Sequence, residues 1–186
     1  SHIESGKVQL EEAPCELPVL LHELWNIVQP AAGAKNQKLT IETENIRDEY
    51  VYCDKLRLNQ TLLNLLSNSI KYTGEGGDIG MRITQEDFAL PGHAAFVFRI
   101  RDNGIGMSEE FLTRIFEPFE RAQTSTVAGI QGTGLGMKIT KNIVEMMKGD
   151  ISVQSKPNVG TEFTLRVTFR LAEDERALHD LDELAN

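Results

Sequence analysis

The sequence predicts a two-layer α/β sandwich, in which helices pack on one face of a mixed β-sheet. Two observations support this fold class. Long segments carry apolar residues at helical spacing, and pairs of short segments with strand-like composition separate them. The predicted order is α, β, β, α, β, β, α, a mobile lid, α, β, β. With 186 residues, of which 40% are hydrophobic, the chain is long enough for one domain with a proper core.

The first predicted elements are a helix and a pair of strands. The helix runs from Leu17 to about Ala34, where leucines recur at helical spacing. Pro18 is acceptable because it lies in the first turn. The segments KLTIETE (38–44) and YVYCD (50–54) follow this helix and are predicted strands.

The second predicted helix has two distinct faces. It runs from Lys55 to about Tyr72, with Asp54 as its N-cap. At about 100° per residue, Asn64, Asn68 and Lys71 fall within roughly 60° of one another. We therefore expect one face to be buried and the other to line a site. The buried face is formed by leucines: Leu58, Leu62, Leu65 and Leu66.

The rest of the chain continues the same pattern. Segments 77–85 and 94–102 are predicted strands, and Ser108 caps a short helix that runs to about Ile115. Segment 117–132 has no apolar periodicity and is rich in Thr, Ser, Gln and Gly, so we predict a mobile lid there. The last predicted elements are a helix from Gly134 to about Met147 and a hairpin of strands 150–156 and 161–169.

Composition excludes several classes of function. The net charge is −9, which argues against nucleic acid as a partner, because binding the phosphate backbone requires a basic face. Cys15 and Cys53 form no CxxC motif, so we expect reduced thiols rather than a metal site. The sequence contains neither a signal peptide nor an apolar run near the ~20 residues that cross a bilayer.

Three motifs indicate the function most strongly. NLLSNSIKYT (64–73) carries two asparagines one helical turn apart, and DNGIGM (102–107) and GTGLGM (132–137) are glycine-rich turns. Glycine lets the backbone approach a ligand closely. Asparagine oxygens suit a hard cation such as Mg²⁺. A helix that starts near Gly132–Gly136 offers backbone N–H groups to phosphate. Together the motifs predict a pocket for a metal-bound nucleotide.

Asp102 ends an apolar strand and precedes Asn-Gly. Ordinary turn chemistry explains an aspartate at this point. The same carboxylate can also accept the amino proton of adenine, and a fixed acceptor selects adenine over guanine. Gly104 and Gly106 then let the chain pass close to the base. Both interpretations of Asp102 can hold together.

The motifs resemble those of the ATP-binding domain of sensor histidine kinases. The superfamily of that domain also holds the ATPase domains of Hsp90, DNA gyrase and MutL. The resemblance runs from about Ser5 to Phe169 and implies the histidine kinase/Hsp90-like ATPase fold, with ATP and Mg²⁺ as ligands. NLLSNSIKYT is similar to the N box, RDNGIGM to the G1 box and GTGLGM to the G2 box. FEPFER (116–121) is similar to the F box, and GTEF (160–163) to the closing glycine motif.

The resemblance implies roles for individual residues. Asn68 coordinates Mg²⁺, and Asn64 assists at the phosphates. Lys71 and Tyr72 match positions that contact phosphate and ribose. The implied catalytic residues are Asn64, Lys71 and Arg121, the metal ligand is Asn68, and the nucleotide-binding residues are Asn64, Asn68, Lys71, Tyr72, Asp102, Gly104, Gly106, Gly132, Thr133, Gly134, Leu135 and Gly136.

The role of Arg121 is left open by the sequence. A guanidinium there can reach the γ-phosphate and stabilise the transferring charge, or it is a solvated surface charge. Many family members carry a basic residue earlier in the F box, where this chain has Glu117 and Pro118. The departure puts the usual cation of the lid in doubt.

The function expected from the resemblance is the catalytic and ATP-binding domain of a two-component sensor histidine kinase. Such a domain transfers the γ-phosphate to a histidine on a separate dimerisation domain. Two alternatives stay open. The first is a superfamily ATPase, but those enzymes carry a glutamate where this chain has Asn64, and an amide cannot act as a general base. The second is a nucleotide-sensing interaction module that binds ATP without phosphotransfer.

Domain organisation and partners follow from the same resemblance. Residues 1–14 are expected to form a linker from a dimerisation and phosphoacceptor domain, 15–170 the catalytic domain, and 171–186 an acidic tail or linker. None of the four histidines, His2, His22, His93 and His179, lies in a phosphoacceptor-like motif. The expected partners are the protein's own dimerisation domain and, downstream, the receiver domain of a response regulator. We expect a homodimeric full-length protein, a monomeric fragment and a cytoplasmic location.

Overall fold

The computed structural model describes residues 9–117 and 134–173. These residues form one sheet of seven strands with helices packed against it, so the predicted α/β fold is confirmed. None of these helices combines the length and apolar character that crossing a membrane requires. In chain order the elements are β1 (Ala13–Glu16), α1 (Leu17–Ala34), β2 (Lys38–Glu44), β3 (Tyr50–Cys53), α2 (Lys55–Lys71), β4 (Asp78–Glu86), β5 (His93–Asp102), α3 (Glu109–Leu112), α4 (Gly134–Met146), β6 (Asp150–Lys156) and β7 (Gly160–Leu171).

The sheet is mixed, as the sequence predicts. Its strand order is β1–β3–β7–β5–β4–β2, and β6 pairs with β7. Strands β2 and β4 are parallel, whereas the other neighbours are antiparallel. The longest pairing joins β5 and β7, from His93 opposite Arg170 to Asp102 opposite Thr161. This register places Asp102 beside the start of β7.

One face of the sheet is buried against the helices. On β5, every second residue from Phe96 to Ile100 is fully buried, namely Phe96, Phe98 and Ile100, whereas Arg101 is exposed. Val97, which alternates with them, is also buried. Complete burial of one leucine stabilises a fold by about 1.5–3 kcal/mol, so the apolar face of α2 anchors this helix firmly. The leucines of that face are all 0% exposed: Leu58, Leu62, Leu65 and Leu66.

Specific hydrogen bonds hold both ends of α2. At the N-terminus, the Asp54 carboxylate accepts from the backbone N–H of Arg57 at 3.0 Å, which confirms the predicted N-cap. At the other end, Lys35 Nζ donates to the Ile70 carbonyl at 2.9 Å, and Gln37 Nε2 donates to carbonyls of the same turn. A cation at this end also complements the helix dipole. The end of α2 is therefore tied to the segment that enters β2.

Two local elements differ from the prediction. Strand β1 was not predicted, and Ala13 and Pro14, which were expected in the linker, form its first half. Four residues that include a proline carry no clear alternation, and the partner strand β3 follows only after α1 and β2. Helix α3 ends at Leu112 instead of extending to Ile115, although Ser108 caps it as predicted.

The sheet brings the two cysteines together, which the sequence did not suggest. Cys15 on β1 and Cys53 on the neighbouring strand β3 are both free and buried. Interaction with the Cys15 thiol, together with burial, raises the pKa of the Cys53 thiol. The pair forms part of the core, so both cysteines have a packing role in this fold.

Candidate functional site

A cleft opens between the second half of α2, the end of β5 and the start of α4. It contains Asn68 and Tyr72 from the N-box-like motif, and Asp102 and Gly106 from the first glycine-rich motif. The fold thus brings together residues that lie in separate motifs of the sequence. The other residues that line the cleft are Ser69, Ile105, Met107, Ile115, Met137, Thr161 and Phe163.

Asp102 is the partly buried carboxylate of the cleft. Its Oδ1 accepts a hydrogen bond from the backbone N–H of Gly104 at 2.9 Å, which is the turn chemistry expected for Asp-Asn-Gly. Burial raises the pKa of Asp102, while hydrogen bonds with Gly104, Ser69 and Thr161 oppose that rise. A carboxylate that lines an apolar cleft is a strong acceptor for a ligand that offers an N–H group.

Apolar side chains form much of the cleft wall, and the sequence did not predict this. Met107, Met137 and Phe163 are at most 8% exposed. Met107 and Met137 are the last residues of the two glycine-rich motifs, and Phe163 ends GTEF. Their place in these motifs was a signal that could have been used. A flat aromatic ligand would fit such walls, because it buries apolar area and leaves its polar edge to Asp102.

Ser69 and Thr161 were also missed as site residues. Both line the cleft, and both lower the pKa of the Asp102 carboxyl group, which opposes the effect of its burial. Ser69 immediately follows Asn68, so its position in the motif was a usable signal. Thr161 reaches Asp102 only through the pairing of β5 with β7, and no local pattern in the sequence reveals that contact.

In the loop after β5, contacts within the protein itself require glycine at two positions. A Cβ on Gly104 would collide with the Tyr72 carbonyl oxygen, and a Cβ on Gly106 would collide with the Lys156 carbonyl oxygen. Gly106 also has a φ of 68°, which favours glycine. The backbone N–H of Ile105 donates to the Tyr72 carbonyl at 3.0 Å. The loop is therefore fixed between the end of α2 and the β6–β7 hairpin.

Gly106→Ala is expected to lower the free energy of unfolding by about 2–5 kcal/mol, the sum of the costs of a positive φ and of overpacking. Gly92→Ala is the matched control, since Gly92 has a φ of +76° and nothing within 4 Å of an added Cβ. Urea unfolding of both variants separates the two costs. Equal losses of stability would show that the contact with Lys156 is unimportant.

The two asparagines of α2 face α4. Asn64 Nδ2 donates to Thr140 Oγ1 at 2.6 Å and to the Gly136 carbonyl at 3.3 Å. Asn68 Nδ2 lies 3.6 Å from Met137 Sδ. Asn68 lines the cleft, whereas Asn64 lies beside it against the first turns of α4. The side-chain amide groups thus connect the N-box-like motif with the second glycine-rich motif.

Lys71 and Tyr72 lie at the end of α2. The Tyr72 ring lines the cleft, and Lys71 Nζ lies 5.3 Å from the centroid of that ring. Lys71 is exposed and lies outside the cleft lining. An ammonium group at this edge can attract an anionic part of a ligand.

Several predicted site residues lie partly or wholly outside the described part of the chain. Gly134, Leu135 and Gly136 form the first residues of α4, as predicted for a helix start. The predicted lid, 117–132, lies outside the described residues apart from Glu117. Outside them also lie Arg121, Gly132 and Thr133.

No cluster of three or more His, Cys, Asp or Glu side chains suited to a metal ion occurs within residues 9–117 and 134–173. A metal bound there would need other ligands. The amide of Asn68 at the edge of the cleft is one such group, and a bound ligand could supply the rest.

Comparison with known proteins agrees with this geometry. Residues 53–171 match the family model described as histidine kinase-, DNA gyrase B-, and HSP90-like ATPase. The autoinducer 2 sensor kinase/phosphatase LuxQ of Vibrio parahaemolyticus is 35% identical over 182 residues, which are 98% of this chain and 21% of LuxQ. The chain therefore spans about a fifth of the length of this curated relative.

Solved structures show the same relationship. Full-length ShkA in complex with AMPPNP superimposes with a TM-score of 0.71 at 28% identity, over 90% of this chain and 33% of ShkA. The nucleotide-free catalytic domain of the histidine kinase ThkA gives a TM-score of 0.68 at 30% identity, over 85% of this chain and 95% of that domain. The chain thus belongs to the histidine kinase-, DNA gyrase B- and HSP90-like ATPase family, and it is an ATP-binding catalytic domain of the sensor histidine kinase type.

Proposed function

We propose that this domain binds Mg-ATP in the cleft and transfers the γ-phosphate to a histidine on a separate dimerisation domain. The observation that carries the proposal is the partly buried Asp102 carboxylate in an otherwise largely apolar cleft. Its acceptor oxygens complement the amino group of adenine, whereas guanine presents a carbonyl oxygen at the corresponding position. The structure of ShkA, to which this chain is similar in fold, is a complex with AMPPNP, and this supports a nucleotide as the ligand.

Asn68 is the proposed protein ligand of Mg²⁺. The residues present fit this ion, because Mg²⁺ binds through one or two protein oxygens and takes its other ligands from phosphates and water. The Nδ2 atom of Asn68 faces Met137, so its amide oxygen is directed away from that contact. When bound, Mg²⁺ neutralises part of the triphosphate charge.

The remaining roles concern the phosphates. We assign Asn64 and Lys71 to the triphosphate, with the backbone N–H groups at the start of α4 as further donors. Tyr72 is assigned to the ribose, since its ring lines the cleft. Gly132, Thr133, Gly134, Leu135 and Gly136 form the proposed phosphate-binding turn, and Arg121 in the lid is the proposed cation at the γ-phosphate.

We also propose the partners of this domain in a longer kinase. The phosphoacceptor domain lies elsewhere in a longer kinase, with the residues before β1 as the linker toward it and the residues after β7 as the acidic tail. A response regulator receiver domain accepts the phosphate afterwards. The full-length kinase is a homodimer on the cytoplasmic side, and nucleic acid is not a partner. Two of the histidines, His22 and His93, lie in the described structure, at the surface of α1 and at the start of β5.

The test is titration with labelled ATP, with and without a separately supplied dimerisation domain that bears its histidine. We expect ATP binding by the chain alone, no acid-labile phosphate on it, and transfer when the acceptor domain is added. Rapid release of inorganic phosphate without transfer would indicate an ATPase instead. Binding with neither transfer nor hydrolysis would indicate a nucleotide-sensing module.

A further inference from the structure

Thr140 lies in the second turn of α4 and contacts α2. It is 3% exposed, and its Oγ1 accepts the 2.6 Å hydrogen bond from Asn64 Nδ2. The same Nδ2 atom lies 3.3 Å from the Gly136 carbonyl oxygen and 3.8 Å from Met137 Sδ. The bond to Thr140 is the shortest of the three. All three acceptors belong to the first turns of α4.

Two of these partners, the Gly136 carbonyl and the Met137 sulfur, determine which end of the Asn64 amide faces α4, since the Thr140 hydroxyl can donate as well as accept a hydrogen bond. An asparagine side chain has a donor end and an acceptor end, and rotation by about 180° exchanges them. After that rotation the Asn64 oxygen would face the Gly136 carbonyl oxygen and the Met137 sulfur, neither of which can donate a hydrogen bond. The observed orientation therefore commits the NH₂ group to α4 and keeps the amide oxygen for another partner. No donor in the described ranges bonds that oxygen.

We propose that Thr140 is a positioning residue, whose short hydrogen bond holds the Asn64 amide in this orientation so that its oxygen serves the Mg-bound phosphates. This inference rests on the proposed function, because it assigns the oriented oxygen to Mg-ATP. Thr140 itself touches Asn64 rather than the nucleotide. The contact also connects α2, which carries the proposed metal ligand, with the helix whose start is the proposed phosphate-binding turn.

Thr140→Val tests the proposal, because valine keeps the shape of threonine and removes the acceptor. We expect the Mg²⁺-dependent gain in ATP affinity to fall about 3- to 10-fold, the range for loss of one net hydrogen bond. ADP affinity in EDTA should stay within about twofold of wild type, since the base pocket is unchanged. Thr140→Ser should restore the Mg²⁺-dependent gain. Calorimetry measures the ATP affinity with and without Mg²⁺ and the ADP affinity in EDTA for each variant.

A second readout uses the nucleotide-free protein. The side-chain NH₂ resonances of Asn64 should shift in Thr140→Val and return in Thr140→Ser in ¹⁵N NMR spectra. Thr61→Val is the matched control, because Thr61 is fully buried on α2 and, within the described residues, its hydroxyl bonds the Arg57 carbonyl alone, at 3.0 Å. This control should lose stability without losing the Mg²⁺-dependent gain.

Three outcomes decide between the interpretations. An unchanged Mg²⁺-dependent gain in Thr140→Val would overturn the proposal, as would an equal loss of affinity with and without Mg²⁺. If Thr140→Val does not fold, a cycle with Thr140→Ala and Asn64→Ala replaces it, and Thr140→Ala should have no further effect once Asn64 is gone. Wild-type protein that binds no ATP would instead refute the proposed function itself.

Discussion

Asn68→Ala is expected to reduce phosphotransfer to a supplied dimerisation domain at least 100-fold. The proposed metal ligand is lost, and a correctly held metal ion contributes several kcal/mol to stabilising the charge of the transition state. The affinity for ADP in EDTA should change little, because Asn68 contacts Met137 rather than Asp102 in the cleft. The expected signature is a large loss of rate with retained binding of the base.

Single-turnover transfer of labelled phosphate measures the rate, and calorimetry measures the affinity. Ser67→Ala is the matched control, since Ser67 is the exposed neighbour of Asn68 on α2. Transfer by Asn68→Ala at a rate within threefold of wild type would refute the assignment of this residue to the metal. A parallel loss of ADP affinity would point instead to a collapsed cleft.

The amphipathic character of α2 could be predicted because it depends on local periodicity. Leucines at helical spacing identified the buried face, and the asparagines identified the opposite one. The N-cap was equally local, and Asp54 accepts from a residue in the same turn. The strand character of β5 was likewise local, but its register against β7 joins segments about 60 residues apart and was not predicted.

Contacts between distant segments could not be predicted in the same way. The bond from Asn64 to Thr140 spans 76 residues, and no pattern at either end signals it. Strand β1 also depends on a distant segment, because its four residues become a strand only by pairing with β3. The glycines of the first motif were predicted for close approach to a base. In the structure, Gly104 and Gly106 are required for a different contact, because both lie close to the protein's own backbone.

Asp102→Asn is expected to weaken ATP binding about 10- to 100-fold, which corresponds to the ~1.5–3 kcal/mol of a hydrogen bond to a charged group. The asparagine keeps one acceptor oxygen but introduces an NH₂ group beside Gly104, whose N–H already donates to this side chain. The preference for ATP over GTP should also fall, because an amide can donate to the carbonyl oxygen of guanine.

The stability of Asp102→Asn at neutral pH should not fall together with its ATP affinity. Burial raises the pKa of Asp102 above its ordinary value of 3.8, so the folded protein binds a proton at this site more tightly than the unfolded chain does. The contribution of Asp102 to the free energy of unfolding therefore decreases as pH rises from the ordinary value through the raised one. Asp102→Asn removes this charged carboxylate, and we expect the free energy of unfolding at neutral pH to stay unchanged or to increase.

The pH dependence of binding distinguishes a direct role of Asp102 from a general disturbance of the cleft. As pH falls toward the raised pKa, protonation converts the acceptor carboxylate into a neutral acid, and ATP affinity should decline in the wild type. The ionisation of ATP itself affects both proteins equally. The decline in ATP affinity that remains in Asp102→Asn therefore measures the part that is caused by protonation of ATP. Calorimetry across the acid range, with urea unfolding at each pH, supplies both quantities. Equal affinities of wild type and Asp102→Asn at neutral pH, or identical acid declines in the two proteins, would remove Asp102 from adenine recognition.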